Sequence, residues 1–307
     1  RIHPAWIAAA ITWMTLVAAA GYRSAPSVLI VPLEDAFGWS RDQIALAISV
    51  NILLYGLTAP FAAALMERFT VRKVVMSALT AVSLGAFGTI FMNAPWQLVL
   101  LWGVVVGVGT GSMALVFAAT IASRWFLARR GLVTGALTAA AATGQLVFLP
   151  ALSSIAMNHG WKSVSITIAV AAAAVIPLIW WGLNEDPVAI GAKPYGAPED
   201  WQAPPRLQGN AARNAIDALK NGSKHKDFWL LFGTFFVCGL TTNGLIGTHF
   251  IPAAHDHGMG EVVAASLLAL IGVFDVIGTL GSGYLTDRVD PRKLLVFYYG
   301  FRGISLL

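Results

Sequence analysis

A succession of apolar runs constrains this chain more than any other feature, because each is long enough to cross the ~30 Å hydrocarbon core of a bilayer as a helix of about 20 residues. Eight runs are complete, at approximately Ala5 to Leu33, Ile44 to Met66, Val74 to Met92, Trp96 to Ala122, Gly131 to Met157, Val164 to Leu183, Phe228 to Ala254 and Val262 to Leu285. A ninth opens at Leu294. None shows the period-two polarity of a membrane β-strand, so the reading is an all-α membrane protein rather than a barrel. Only 11% of residues are charged and 57% are hydrophobic, whereas soluble domains carry about 25% charge. The single cysteine, Cys238, lies inside a run, which excludes an intrachain disulfide framework.

The net charge of +5 is explained by where the basic residues fall. With a cytoplasmic N-terminus, the inside segments hold sixteen lysines and arginines, the outside loops hold Arg41 and Lys162, and Arg23 and Arg302 fall within spans. That bias is the positive-inside signature of membrane topology. It excludes a nucleic-acid role for the charge and places the N-terminus and the central linker in the cytoplasm, with the protein multi-pass in the inner (cytoplasmic) membrane.

Two stretches reveal internal duplication. Gly283-Tyr-Leu-Thr-Asp-Arg-Val-Asp-Pro-Arg-Lys293 has a degenerate copy 220 positions earlier, Ala63-Ala-Leu-Met-Glu-Arg-Phe-Thr-Val-Arg-Lys73. Each reads as a short charged loop between two membrane helices. Between the sixth and seventh runs lies a long polar segment, stopped by Asn184-Glu-Asp-Pro187 and kept extended by Pro194, Pro198, Pro204 and Pro205. Within it, Ala211 to Lys220 reads either as a short amphipathic helix or as part of a disordered connector. The expected organisation is a six-helix half at 1–183, a cytoplasmic linker at 184–226, and a second half at 227–307 that is truncated after about three helices.

This arrangement resembles the major facilitator superfamily, whose two six-helix halves are parallel repeats with substrate bound near the midplane. Gly283, Asp287, Arg288, Arg292 and Lys293 match the superfamily's loop signature, and the first copy departs from it at Ala63 and Glu67. Within the superfamily the chain is similar to bacterial relatives of the monocarboxylate and oxalate/formate permeases. That likeness is carried by Gly21-Tyr-Arg-Ser24 with Phe37-Gly-Trp-Ser-Arg41, by Arg124-Trp-Phe-x-x-Arg-Arg-Gly131, by Gly160-Trp-Lys162 and by His249 to Gly258. The fourth run carries no arginine ahead of its glycine spacing and the fifth lacks a Gly-Pro pair, which demotes drug/proton antiport.

A charge near the bilayer centre costs several kcal/mol, so each one is a functional candidate. Arg23 lies where Gly21, Ser24, Ala25 and Pro26 interrupt the first run, and a guanidinium facing a cavity there suits a carboxylate; the alternative is snorkelling to the outer headgroups. Asp275 sits at mid-depth in the eighth run. The related permeases place an arginine one turn after this aspartate, but here Thr279 occupies that position and Arg302 in the ninth run is the candidate partner. The pair serves proton coupling, or else is a structural ion pair. Asn51, Tyr55 and Gln145 are further substrate-binding candidates, or simply bond neighbouring helices. Asn243, which interrupts the seventh run, and His249, near its outer end, are substrate-binding candidates as well. His255 and His257 lack the ligand set of a metal site, and no metal or cofactor is expected. Glu67, Arg68, Arg72, Asp287, Arg288 and Arg292 form the expected cytoplasmic gate. Gly103, Gly107 and Gly111 make a smooth packing face, not a nucleotide loop.

The expected function is secondary active transport of a small organic anion, a monocarboxylate in the first instance, by alternating access between two halves, coupled to protons or a counter-anion. The expected state is a monomer in lipid. An exporter of amphipathic drugs or other small metabolites and a non-transporting receptor of the same fold are the alternatives. No nucleophile-base pair appears, so no enzyme is expected.

Overall fold

The computed structural model describes residues 3–113, 115–203 and 211–305, and these are helical almost throughout. The helix α1 (Pro4–Phe37) starts on His3, whose Nδ1 accepts from the Ala5 N–H at 3.2 Å, and ends on Gly38, which adopts φ 67°. Ser40 and Gln43 form a capping box that starts α2 (Arg41–Arg68). α3 (Val71–Thr89) follows, capped by Thr70. The fourth span comprises α4 (Pro95–Leu98), a π-helical segment (Val99–Val106), α5 (Gly107–Ser112) and α6 (Leu115–Trp125). α7 (Arg130–His159) and α8 (Trp161–Gly182) complete the first six spans.

After the polar segment, α10 (Lys226–Gly239), a second π-helical segment (Leu240–Ile246) and α11 (Gly247–Asp256) form the seventh span, α12 (Glu261–Thr286) the eighth and α13 (Pro291–Ser305) the last. α9 (Ala211–Gly222) realises the amphipathic reading of the central segment. Seven of the helical spans meet the length and apolarity needed to cross a membrane. Large apolar side chains such as Leu53, Leu84, Phe91 and Trp181 point outward, as they must when lipid replaces water.

α7 is the spine of the molecule, packed along α1 on one side and α12 on the other. Lipid tails are as apolar as leucine, so close backbone approach rather than hydrophobic burial has to hold such helices together. Small residues allow it. A Cβ on Gly144 would lie 2.5 Å from the Val17 carbonyl oxygen, one on Gly135 would lie 2.7 Å from that of Thr279, and one on Gly283 would lie 2.7 Å from that of Gly131. α3 and α8 form a peripheral pair, joined by Ser83 Oγ donating to the Ala169 carbonyl at 2.9 Å and Thr89 donating to Ser165 at 3.0 Å.

Two features differ from the sequence reading. The first run is not interrupted at Gly21 to Pro26, since α1 passes through Pro26 and Pro32 unbroken. Packing against α7, α8 and α11 offsets the hydrogen bond lost at each proline. The polar segment is also fastened at one point rather than simply extended. Tyr195 pairs with the loop after α6, donating its N–H to the Trp125 carbonyl at 2.8 Å and accepting from the Leu127 N–H at 3.0 Å. Its ring meets those of His3, Trp6 and Phe126 edge-on or tilted.

Candidate functional site

A cavity of about 310 Å³ lies at the centre of the helices, walled by α1, α2 and α7 on one side and by α11, α12 and the second π segment on the other. Arg23, Asn51, Tyr55, Gln145 and Asp275, all named from the sequence, line it together. Pro26, Ser27 and Thr242 line it too.

Arg23 projects from the middle of α1 towards α2. Its Nη1 donates to the Tyr55 hydroxyl at 3.3 Å, and its guanidinium carbon lies 4.8 Å from the centre of the Tyr55 ring. Tyr55 thus orients the guanidinium by a hydrogen bond and by its ring face. The guanidinium lines the cavity, and its donor fork suits a carboxylate.

Asn51 sits one turn before Tyr55 and is tied to the helix behind it. Its Nδ2 donates to the Trp102 carbonyl at 2.7 Å, inside the first π segment, where the wider turn disturbs the regular bonding of the helix. The glycines beside it explain how α2 approaches so closely. Cβ atoms on Gly103, Gly107 and Gly111 would lie 3.1, 3.0 and 2.7 Å from backbone atoms of Ala47, Asn51 and Tyr55 in turn.

Asp275, on α12, faces two spaces. It lines the central cavity and also a cleft of about 680 Å³ that descends between α7 and α12 past Thr138, Thr279 and Ser282 to Asp287. Its carboxylate has no hydrogen-bond or ion-pair partner among the described residues. The side chains of Arg302 and Asn243 lie outside the described residues, although Asn243 falls within the second π segment. The expected discontinuity of the seventh span is there as that π segment, and its Thr242 reaches the cavity. His249 is exposed on α11 and does not line the cavity.

The two charged loops are built differently. At the foot of α12, Asp287 accepts from the N–H groups of Gly131 (3.0 Å) and Leu132 (3.1 Å), so it caps the N-terminus of α7. Arg288 lies over the Tyr284 ring at 3.6 Å, and the Arg292 N–H donates to Asp290 at the start of α13. In the first copy, Glu67 and Arg68 line a cleft of about 590 Å³ with Arg124, Glu185 and Asp186, beneath the polar segment. Arg72 turns away from the α7–α12 seam and donates to the Trp180 carbonyl of α8 at 2.8 Å.

On the opposite face is a cluster that the sequence pattern does not reveal. Arg41 donates to Glu34 through Nε at 2.9 Å and to both carboxylate oxygens of Asp256 through Nη1 and Nη2, joining the ends of α1 and α11. Arg41 holds the Asp256 carboxyl below the ordinary aspartate range.

Comparison with known proteins agrees with this architecture. Residues 11–307 match the model of the Major Facilitator Superfamily. The chain is 26% identical to YcxA, an uncharacterized MFS-type transporter of Bacillus subtilis (strain 168), over 98% of this chain and 70% of that protein. It is 27% identical to monocarboxylate transporter 11 of Mus musculus, over 98% of this chain and 64% of the mouse protein, so it spans under two thirds of that relative. Its fold matches that of a proton:xylose symporter bound to 6-bromo-6-deoxy-D-glucose with a TM-score of 0.64 at 16% identity, covering 92% of this chain and 69% of the other. The chain therefore belongs to the Major Facilitator Superfamily, a family of multi-pass membrane transporters and not of enzymes.

Proposed function

We propose that the protein moves a small organic anion, most simply a monocarboxylate, across the cytoplasmic membrane by alternating access, with the N-terminus and the segment at 184–226 in the cytoplasm. The carrying observation is that Arg23 and Asp275 face one chamber of about 310 Å³ between helices that precede and follow that segment. This volume lies at the small end of ligand sites, as a molecule of few carbons requires. The guanidinium binds the carboxylate by paired hydrogen bonds, with Tyr55 fixing its plane. Asp275 takes and releases a proton in step with the anion, since it also opens onto the cleft leading to the cytoplasmic side. Gln145 and Thr242 bind the rest of the substrate, and rocking of the two groups of helices about the chamber exposes it to each face in turn. The relatives named monocarboxylate transporters support this substrate class.

The test is uptake of a radiolabelled monocarboxylate into proteoliposomes of the full protein under an inward proton gradient. Arg23→Ala abolishes uptake, and Arg23→Lys, which keeps the charge but loses the fork, retains a small part of it. Undiminished uptake by Arg23→Ala overturns the assignment.

A further inference from the structure

The geometry points to a headgroup site for an anionic phospholipid in the groove between α3 and α8, at the cytoplasmic end of that peripheral helix pair. The groove holds about 450 Å³ and is lined by Arg72, Lys73, Met76, Ser77, Thr80 and Trp180. Among the described residues no acidic side chain lines it. Arg72 is fixed in place by its bond to the Trp180 carbonyl, and its guanidinium carbon lies 5.9 Å from the Trp180 ring centre. Beside it, the Lys73 ammonium makes no ion pair or hydrogen bond among the described residues. Two cations on neighbouring positions, one held by a backbone carbonyl and one without a partner among the described residues, suit a phosphodiester. The hydroxyls of Ser77 and Thr80 do not add donors, because they donate to the carbonyls of Val74 and Met76.

The helix itself identifies the ligand as a lipid rather than a free anion. Lys73, Ser77, Thr80, Leu84 and Phe87 recur at intervals of four and three residues, so they form one stripe along α3. The stripe is basic and polar at the loop end and apolar beyond it, with Leu84 65% and Phe87 47% exposed. Leu84 lies about 16 Å from Lys73 at 1.5 Å rise per residue, which matches half of a ~30 Å hydrocarbon core. A phospholipid seated with its phosphate on Lys73 therefore lays its acyl chains along Leu84 and Phe87. Trp180 and Trp181 flank the headgroup level, the depth at which tryptophan is enriched. The leaflet follows from the orientation proposed above; the headgroup depth does not depend on it.

Native mass spectrometry of the full protein in detergent tests this, with phosphatidylglycerol and phosphatidylcholine of equal chain length as probes. Phosphatidylglycerol is expected to be retained at least fivefold over phosphatidylcholine. Lys73→Glu reduces that preference to near unity, and so does Ser77→Phe, which fills the groove without changing charge. Lys224→Glu, the same charge reversal on the linker, leaves it intact. Equal retention of the two lipids, or a preference unaltered by Lys73→Glu and Ser77→Phe, overturns the proposal. Displacement of phosphatidylglycerol by millimolar inorganic phosphate also overturns it, because the groove is then a phosphate site and not a lipid site.

Discussion

Arg41 grips Asp256 with both terminal nitrogens, at 2.5 and 2.8 Å, across 215 residues of chain. The pair ties the α1–α2 corner to the end of α11 on the face opposite the charged loops, with Glu34 holding the remaining nitrogen. It is exposed, so it supplies little stability. Arg41→Ala is expected to lengthen the distance between spin labels at the outer ends of α1 and α11. The sign of the pH effect follows from Asp256, whose carboxyl sits below its ordinary value because Arg41 donates to it. A lowered acid constant means the clamp is complete above about pH 3.9, the ordinary aspartate value, and is lost as pH falls from there through the lower folded value. The label distance should therefore stay constant from pH 7 to about pH 5 and change only under stronger acid. A transition centred near pH 6 would show that the Asp256 carboxyl does not control the clamp.

On the proposed function, Asp275 serves proton coupling rather than anion binding. Asp275→Asn keeps the shape of the side chain while removing its proton chemistry. Counterflow exchange of labelled substrate should continue at near the original rate, and accumulation driven by a proton gradient should fall at least tenfold. Loss of neither would leave Asp275 a structural residue of α12, and loss of both would place it in the binding site itself.

The seam between α7 and α12 rests on Asp287 and Gly283. Asp287→Ala removes a helix cap, worth about 1 kcal/mol where caps have been measured. Gly283→Ala is the more severe change. Its methyl would stand 2.7 Å from the Gly131 carbonyl oxygen, and that backbone can give way only by separating the helices. Both variants are expected to favour access from the cytoplasmic side, read as faster modification of a cysteine introduced at Thr138, with Gly283→Ala having the larger effect. Unchanged modification rates in both would show that this seam does not open.

Much of this molecule is legible in its sequence because the bilayer leaves a chain few choices. Lengths of apolar sequence and the siting of Lys and Arg give the spans, and Gly103, Gly107 and Gly111 mark a face where helices meet. The chamber residues Arg23 and Asp275 stand out as charges in apolar runs. What escaped reading is what depends on distant partners. Arg41 looks like an outer-loop arginine until Asp256 arrives from another span. Arg72 shares a motif with Arg292, yet α8 places the Trp180 carbonyl within its reach, so it faces the periphery of the first six spans. The π segment at Val99–Val106 has no local signal either, being a plain aliphatic run that includes Trp102.

That segment decides between two roles for Asn51, which lines the chamber while its amide donates to the Trp102 carbonyl at 2.7 Å. Hydrogen bonds between membrane helices average only about 0.6 kcal/mol. Leaving a buried carbonyl without a partner costs more, about 1 to 3 kcal/mol, and Trp102 is itself buried. The structural role therefore outweighs a substrate contact, because the amide cannot turn to a ligand without abandoning that carbonyl. Asn51→Leu, close in size but unable to donate, should lower the thermal melting point of the detergent-solubilised protein by several degrees and leave the KM for uptake within twofold. A tenfold rise in KM with unchanged melting would reverse the assignment and make Asn51 a substrate ligand alongside Arg23.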